Sequence, residues 1–235
     1  MDVSIFEVVG PVMIGPSSSH TAGAARLARV ARLIAAAPFH AVDFGLHGSF
    51  AQTYRGHGTD RALVAGALGL REDDERLAES FELADVAGLR YRFHPIELEG
   101  VHENTVRMTF SLEDGRELAI VGSSIGGGQI LITSIDGFET EIAANAPTLI
   151  LRQQDMPGVV TAVTYVLAKN GINIGVMKLS RRAKGGDACC IIETDTPIPE
   201  RVVETLRAVP HVLSVRAIHP DETAEGREDA ACTRV

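Results

Sequence analysis

The chain has 235 residues, room for about one and a half domains of ordinary size, and its 45% hydrophobic and 23% charged content is that of a folded globular protein. Its 31 acidic residues outnumber 22 basic ones for a formal charge of −9, which argues against a non-specific nucleic-acid binder, because neutralising phosphates takes a basic surface. No apolar run approaches a membrane-spanning length and no charged-then-apolar leader opens the chain, so neither a membrane segment nor a signal peptide is expected and a cytoplasmic protein is the default; three cysteines are too few for a disulfide scaffold or a four-ligand zinc or iron–sulfur site.

In chain order, residues 12–20 form a loop, punctuated by Gly15-Pro16 and three serines. A helix is predicted over 21–37, with Leu27, Val30, Ala31 and Ile34 on one face and Arg26, Arg29 and Arg32 off it, and Pro38 stops it. A short strand over 41–46 and a helix over 59–70 follow; Thr59 or Asp60 is placed to cap that helix, and Leu63, Ala67 and Leu70 make its apolar stripe. From residue 89 the apolar period becomes two, predicting strands over 89–98, 105–112, 117–122, 129–135 and 138–142. Asp114-Gly115 and Asp136-Gly137 are hairpin signals between them. Helices followed by an antiparallel sheet make residues 1–146 an α+β domain.

The pattern restarts near Asn145-Ala146-Pro147. Strands over 148–152, 172–180, 188–194 and 211–218 alternate with helices over 157–170 and 199–208, the first with Pro157 near its start and Asn170-Gly171 at its end. This βαββαβ order over residues 147–218 is that of a ferredoxin-like split βαβ fold. Residues 219–235 are polar and weakly patterned, the signature of a disordered tail.

Three segments carry candidate chemistry. Ser17, Ser18, Ser19, His20 and Thr21 run into a helix, whose unpaired N–H groups and positive dipole end stabilise a carboxylate or phosphate; the hydroxyls add donors, and His20 can transfer a proton near neutral pH. An ordinary N-cap also explains a serine here, but three serines and a histidine exceed what capping needs. A second cluster holds His47, Ser49, His57, Thr59 and Asp60, with glycines beside His57 that would let backbone approach a ligand; a tight turn before a capped helix is the plainer alternative. It is not a dinucleotide fingerprint, since Arg61 replaces the third glycine. In the second half, Asp155, Met156, Gly158 and Val159 join a strand to a helix, and Asn173 and Ile174 start the next strand. If these ends meet across a subunit interface, Asp155 and Asn173 can hold the ammonium and carboxylate of an amino acid.

Other features are set aside. Gly122-Ser123-Ser124-Ile125-Gly126 fits the nucleophile-elbow spelling, but two more glycines and a strand follow where a helix is required, leaving a glycine loop between strands. His102-Glu103 does not complete the zinc motif, because residue 106 is Val106. Cys189 and Cys190 read as small buried hydrophobes and Cys232 as an incidental thiol in the tail.

Together, Ser4-Ile5-Phe6, the Gly15-to-Thr21 run, His47-Gly48-Ser49, the Gly56-to-Asp60 run with Ala62-Leu63-Val64, and the Ser124-to-Gly128 run resemble the beta subunit of the iron–sulfur-dependent bacterial L-serine dehydratases, over essentially the whole chain. The second half resembles an ACT domain at residues 155–159 and 171–174. The resemblance implies a two-subunit lyase that converts L-serine to pyruvate and ammonia. An alpha subunit would carry the 4Fe–4S cluster, with no metal ligand in this chain. The hydroxyl- and histidine-bearing loops above would be substrate-facing, and the ACT domain would sense L-serine at a homodimer contact. The alternative is a non-catalytic, amino-acid-sensing regulatory subunit with an allosteric anion site, since a related domain occurs in some phosphoglycerate dehydrogenases.

Overall fold

The computed structural model describes residues 13–219. The Ser4-Ile5-Phe6 opening, Cys232 and all of the expected tail except His219 lie outside the described residues. The chain divides into two compact units between Asp136 and Gly137, and no described helix is long and apolar enough to cross a membrane.

The first unit is built on helix α1, Gly23–Ala35, preceded by one π turn, Ser18–Ala22. Helicity therefore starts three residues before the expected Thr21. Leu27, Val30, Ala31 and Ile34 are buried as their spacing predicts. Arg29, expected on the polar face, is only 5% exposed and pairs with Glu72 at 3.6 Å. The reason is a second packing partner on that side, helix α3 (Thr59–Leu68). A Cβ at Gly66 of α3 would lie 2.1 Å from the Ala25 carbonyl oxygen, so only glycine permits so close an approach of the two helices.

Strand β1, Phe39–Leu46, leads into a six-residue helix α2, Gly48–Thr53, and then α3. A 3₁₀ turn, Glu75–Glu79, and helix α4, Ser80–Ala87, precede β2, Arg90–Pro95. Helices α2 and α4 were not expected, being too short and too mixed in composition to show a period. Strands β3 (Thr105–Leu112), β4 (Glu117–Gly126) and β5 (Gln129–Ile135) complete the unit in the order β2-β1-β3-β4-β5. The sheet is antiparallel except for β1 and β2, which run parallel. That pair requires a crossover, and the helices between β1 and β2 supply it. Val42, Phe44 and Leu46 of β1, Met108 and Phe110 of β3, and Ile120 of β4 face the helices as the core.

Neither Thr59 nor Asp60 caps α3: Gly58, at φ 67°, stands at its N-cap, and Asp60 accepts from the N–H of Arg61. The hydroxyl of Thr59 is buried with no hydrogen-bond partner among the described residues.

The second unit starts with β6, Phe138–Ile142, entered through the expected Asp136-Gly137 turn with both residues at positive φ. Strands β7 (Thr148–Gln154), β8 (Ile174–Arg181), β9 (Asp187–Thr194) and β10 (Val212–Ile218) alternate with α5 (Val159–Lys169) and α6 (Glu200–Arg207). Their order β10-β7-β9-β8, antiparallel throughout, is the ferredoxin-like arrangement predicted from the element sequence. Leu149, Leu151, Val163, Leu167, Cys190, Ile192, Val202 and Leu206 fill its core. Pro157 lies outside α5, whose N-cap is Gly158 at φ 90°. Cys189 and Cys190 are each 1% exposed, and burial pushes the Cys190 thiol up to about 12, an inert hydrophobe as expected.

Candidate functional site

Ser17 is the N-cap of the helical run, and its hydroxyl accepts the His20 N–H at 3.1 Å. Capping thus uses one serine. By position, the N–H groups of Ser18 and Ser19 precede any intrahelical acceptor and point out of the helix start. The Ser19 hydroxyl lies 3.1 Å from His20 Nδ1 and 3.4 Å from the Ser17 hydroxyl.

His20 is the hub. Its Nε2 lies 3.0 Å from the hydroxyl of Ser49, twenty-nine residues away on α2, so a neutral imidazole sits between two hydroxyls, accepting from one and donating to the other. Its ring meets the edge of Phe50 at 5.4 Å between centroids and lies 5.0 Å from the His57 ring. Burial, and secondly the neighbouring His57 charge, hold the His20 pKa below the ordinary histidine value, so the neutral, proton-accepting form dominates at neutral pH. Thr21 turns inward instead, donating from its hydroxyl to the His57 carbonyl oxygen at 3.0 Å. That bond ties the 56–58 glycine turn to the helix start.

Ser49 reaches His20 because the chain turns sharply after β1. Gly48, at φ 55°, makes the turn, and a Cβ there would lie 2.6 Å from the Glu103 carbonyl oxygen. His47, just before it, has its N–H bonded to the Thr105 carbonyl, and its Nδ1 accepts from Leu98 N–H at 3.2 Å. Its ring therefore faces the end of β2. Asp60 is half-buried between Arg55 and Arg61, and burial raises its carboxyl above the usual carboxylate range against the opposing pull of its hydrogen bonds and those cations. The structure thus joins Ser17, Ser19, His20, Ser49 and His57 into one cluster, backs it with Thr21, and turns His47 elsewhere. Phe50 was missed by the sequence reading; its only signal was adjacency to Ser49.

In the second unit the loop residues are engaged internally. The Asp155 carboxylate accepts from Arg181 at 2.7 Å and from Gly185 N–H at 3.1 Å, which holds it below the usual carboxylate range. Asn173 donates to the Asp195 carboxylate at 2.7 Å. Met156 is 44% exposed, whereas Val159 is a core residue. Asn173 and Ile174 line a shallow groove of about 390 Å³ with Thr161, Thr164, Tyr165 and Ile172 on and beside α5. The described residues contain no cluster of three or more His, Cys, Asp or Glu side chains placed to hold a metal ion.

Comparison with known proteins bears on what such a cluster serves. Residues 4–88 match the family model described as serine dehydratase beta chain. Over 215 residues, 92% of this chain and 97% of the relative, the chain is 41% identical to the "Probable L-serine dehydratase, beta chain" of Bacillus subtilis. The chain belongs to the L-serine dehydratase beta-chain family. A second family member, the L-serine dehydratase beta chain of Peptoniphilus asaccharolyticus, is 40% identical over 218 residues, 92% of this chain and 98% of that one. A D-3-phosphoglycerate dehydrogenase of Methanocaldococcus jannaschii is 27% identical over 121 residues, 52% of this chain and 23% of the enzyme. Among solved structures, the ACT domain from the GTP pyrophosphokinase of Chlorobium tepidum aligns with 31% of this chain and 95% of its own, at 23% identity and a TM-score of 0.27.

Proposed function

We propose that this chain is the beta subunit of an L-serine ammonia-lyase, deaminating L-serine to pyruvate and ammonia together with an alpha subunit, and that the serine- and histidine-rich helix start is its share of the substrate site. The observation that carries the reading is the His20 imidazole held between the Ser19 and Ser49 hydroxyls at the start of a helix. Family membership supplies the substrate class.

The 4Fe–4S cluster expected of this enzyme class does not fit the described residues. Cys189 and Cys190 are buried on opposite faces of β9, and no other ligand set is assembled among the described residues. As the family resemblance implies, we place the cluster on the alpha subunit. This chain's own part is binding and proton handling. The N–H groups of Ser18 and Ser19, at the positive end of the helix, hold the substrate carboxylate. His20, neutral at working pH, accepts the substrate's α-proton through the hydroxyl that donates to its ring and gives a proton to the departing β-hydroxyl, which leaves as water. The aminoacrylate then tautomerises to the imine and hydrolyses to pyruvate and ammonia. Phe50 and His57 flank the ring and fix its plane.

The ACT unit is proposed to bind L-serine as effector where two copies meet, with Asp155 and Asn173 as the polar anchors. For that they must exchange their present partners, Arg181 and Asp195, for the amino acid.

Pyruvate formation from L-serine tests the reading: the alpha subunit is assayed alone and co-expressed with this chain, under anaerobic conditions. Turnover only with both chains is expected. An alpha subunit as active alone as in the complex would assign this chain to regulation.

A further inference from the structure

Ser124, which opens the Ser124-to-Gly128 run, has unusual surroundings. It lies near the end of β4, fully buried, and its N–H donates to the Asn104 carbonyl at 3.0 Å. Its hydroxyl has no hydrogen-bond partner among the described residues. A buried hydroxyl left unpaired is costly, and alanine would avoid that cost. The hydroxyl is pressed against the start of α1: a Cβ at Gly23 would lie 2.0 Å from Ser124 Oγ and 2.8 Å from its Cβ. Strand and helix can be this close only because residue 23 is glycine.

Gly23 is also where the helix changes type. Its N–H donates to the Ser18 carbonyl, and the Ala22 N–H to the Ser17 carbonyl at 3.3 Å, both five residues back. These bonds make the π turn, which holds one residue more than an α-helical turn and recurs at functional sites. Relaxing it to a regular turn would remove one residue of phase and rotate everything before Gly23 by about 100°. His20 would leave Ser49. Ser124 itself cannot readily yield, because neighbouring Ser123 is fixed by a buried hydroxyl pair with Thr105 at 2.6 Å.

We propose that Ser124 is a positioning residue for His20: wedged against Gly23, it holds the helix start in its π-turn form and so keeps the imidazole between Ser19 and Ser49. The proposal rests on the reading of His20 as substrate-facing for its consequence in turnover, but not for its geometry. Retention of an unpaired hydroxyl follows from this role, since the wedge is kept at the expense of stability.

The test compares the Ser124→Ala, Gly23→Ala and Gly23→Ala/Ser124→Gly variants of the full chain. The imidazole ¹⁵N resonances of His20 and their titration are followed by NMR, and kcat/KM for L-serine is measured in complex with the alpha subunit. For Ser124→Ala the expected result is an unchanged or raised melting temperature, a His20 signal moved toward that of a free histidine, and a kcat/KM lowered about tenfold to a hundredfold. Gly23→Ala should lose the His20 signature, and the double variant should regain it, because the methyl introduced at position 23 then takes the place of the Ser124 hydroxyl between strand and helix. Unchanged His20 resonances and titration in folded Ser124→Ala would overturn the wedge, whatever Gly23→Ala does. If the wild-type complex made no pyruvate, the proposed activity would fall while the His20 resonances still decided the geometry.

Discussion

The two units treat their polar loop residues in opposite ways. In the first, side chains far apart in sequence meet one another: His20 with Ser49, Thr21 with the His57 carbonyl, and His20 with the His57 ring. Near them are buried hydroxyls, of Thr59 and Ser124, that nothing in the described chain satisfies. In the second, Asp155 and Asn173 do not meet, and each is closed by a partner of its own, Arg181 and Gly185 for one and Asp195 for the other. A site assembled within one chain shows as contacts among its residues and as polar groups carried at a cost. A site proposed to form between copies shows the reverse, loops satisfied at rest and a groove beside them.

The largest effect that would sharpen this contrast is on turnover. Replacing Ser49 by alanine removes one of the two hydroxyls bonded to His20, and kcat/KM for L-serine in the assembled enzyme should fall about a hundredfold, within the range for general acid–base groups. A fall of less than threefold would detach α2 from the site. Next comes the scaffold under it. Gly66→Ala drives a methyl into the Ala25 carbonyl and the Arg29 amide, and should cost about 1–3 kcal/mol of stability by urea denaturation. No loss would mean that α1 and α3 are not so closely packed.

A smaller effect concerns pH. The acid limb of kcat/KM should lie below the ordinary histidine value of about 6.5. His57→Gln removes the second cause of the lowering and should move that limb part of the way back up. The stability sign is fixed as well: the folded state binds the His20 proton less readily than the unfolded chain. Stability is therefore complete above about pH 6.5 and falls as pH drops from there toward the lowered folded value. The smallest effect belongs to the second unit. Arg181→Ala should let the Asp155 carboxyl rise toward the ordinary range, and ¹³C carboxyl titration reads this directly. Because that pair is at the surface, the stability it adds above the ordinary carboxylate range, lost as pH falls through the depressed value, should be slight.

How far these features were legible in the sequence depended on whether their cause was local. Period-two alternation gave β3, β5 and β6 with their boundaries, and Asp136-Gly137 gave the turn between the last two, because pleat and turn chemistry act over a few residues. The burial of Arg29 and the parallel pairing of β1 with β2 were not legible, since both depend on what packs against them from elsewhere in the chain. For the site, the 17–21 run announced a helix start with spare hydroxyls. It did not announce that Ser49 would be the partner of His20 while neighbouring His47 turned to Leu98, a choice made by the Gly48 turn beneath Glu103. Ser124 reads in the sequence as part of a glycine loop, and its proposed role rests on contact with Gly23, far away in the chain.

The central claim is that the helix start with His20 faces the substrate in serine deamination. It is tested most directly by a Ser18→Ala/His20→Ala double variant co-purified with the alpha subunit and assayed for pyruvate from L-serine. The account predicts an assembled complex whose kcat/KM is about 10² to 10⁴ times lower than that of the wild type. An assembled complex with wild-type kcat/KM would contradict it.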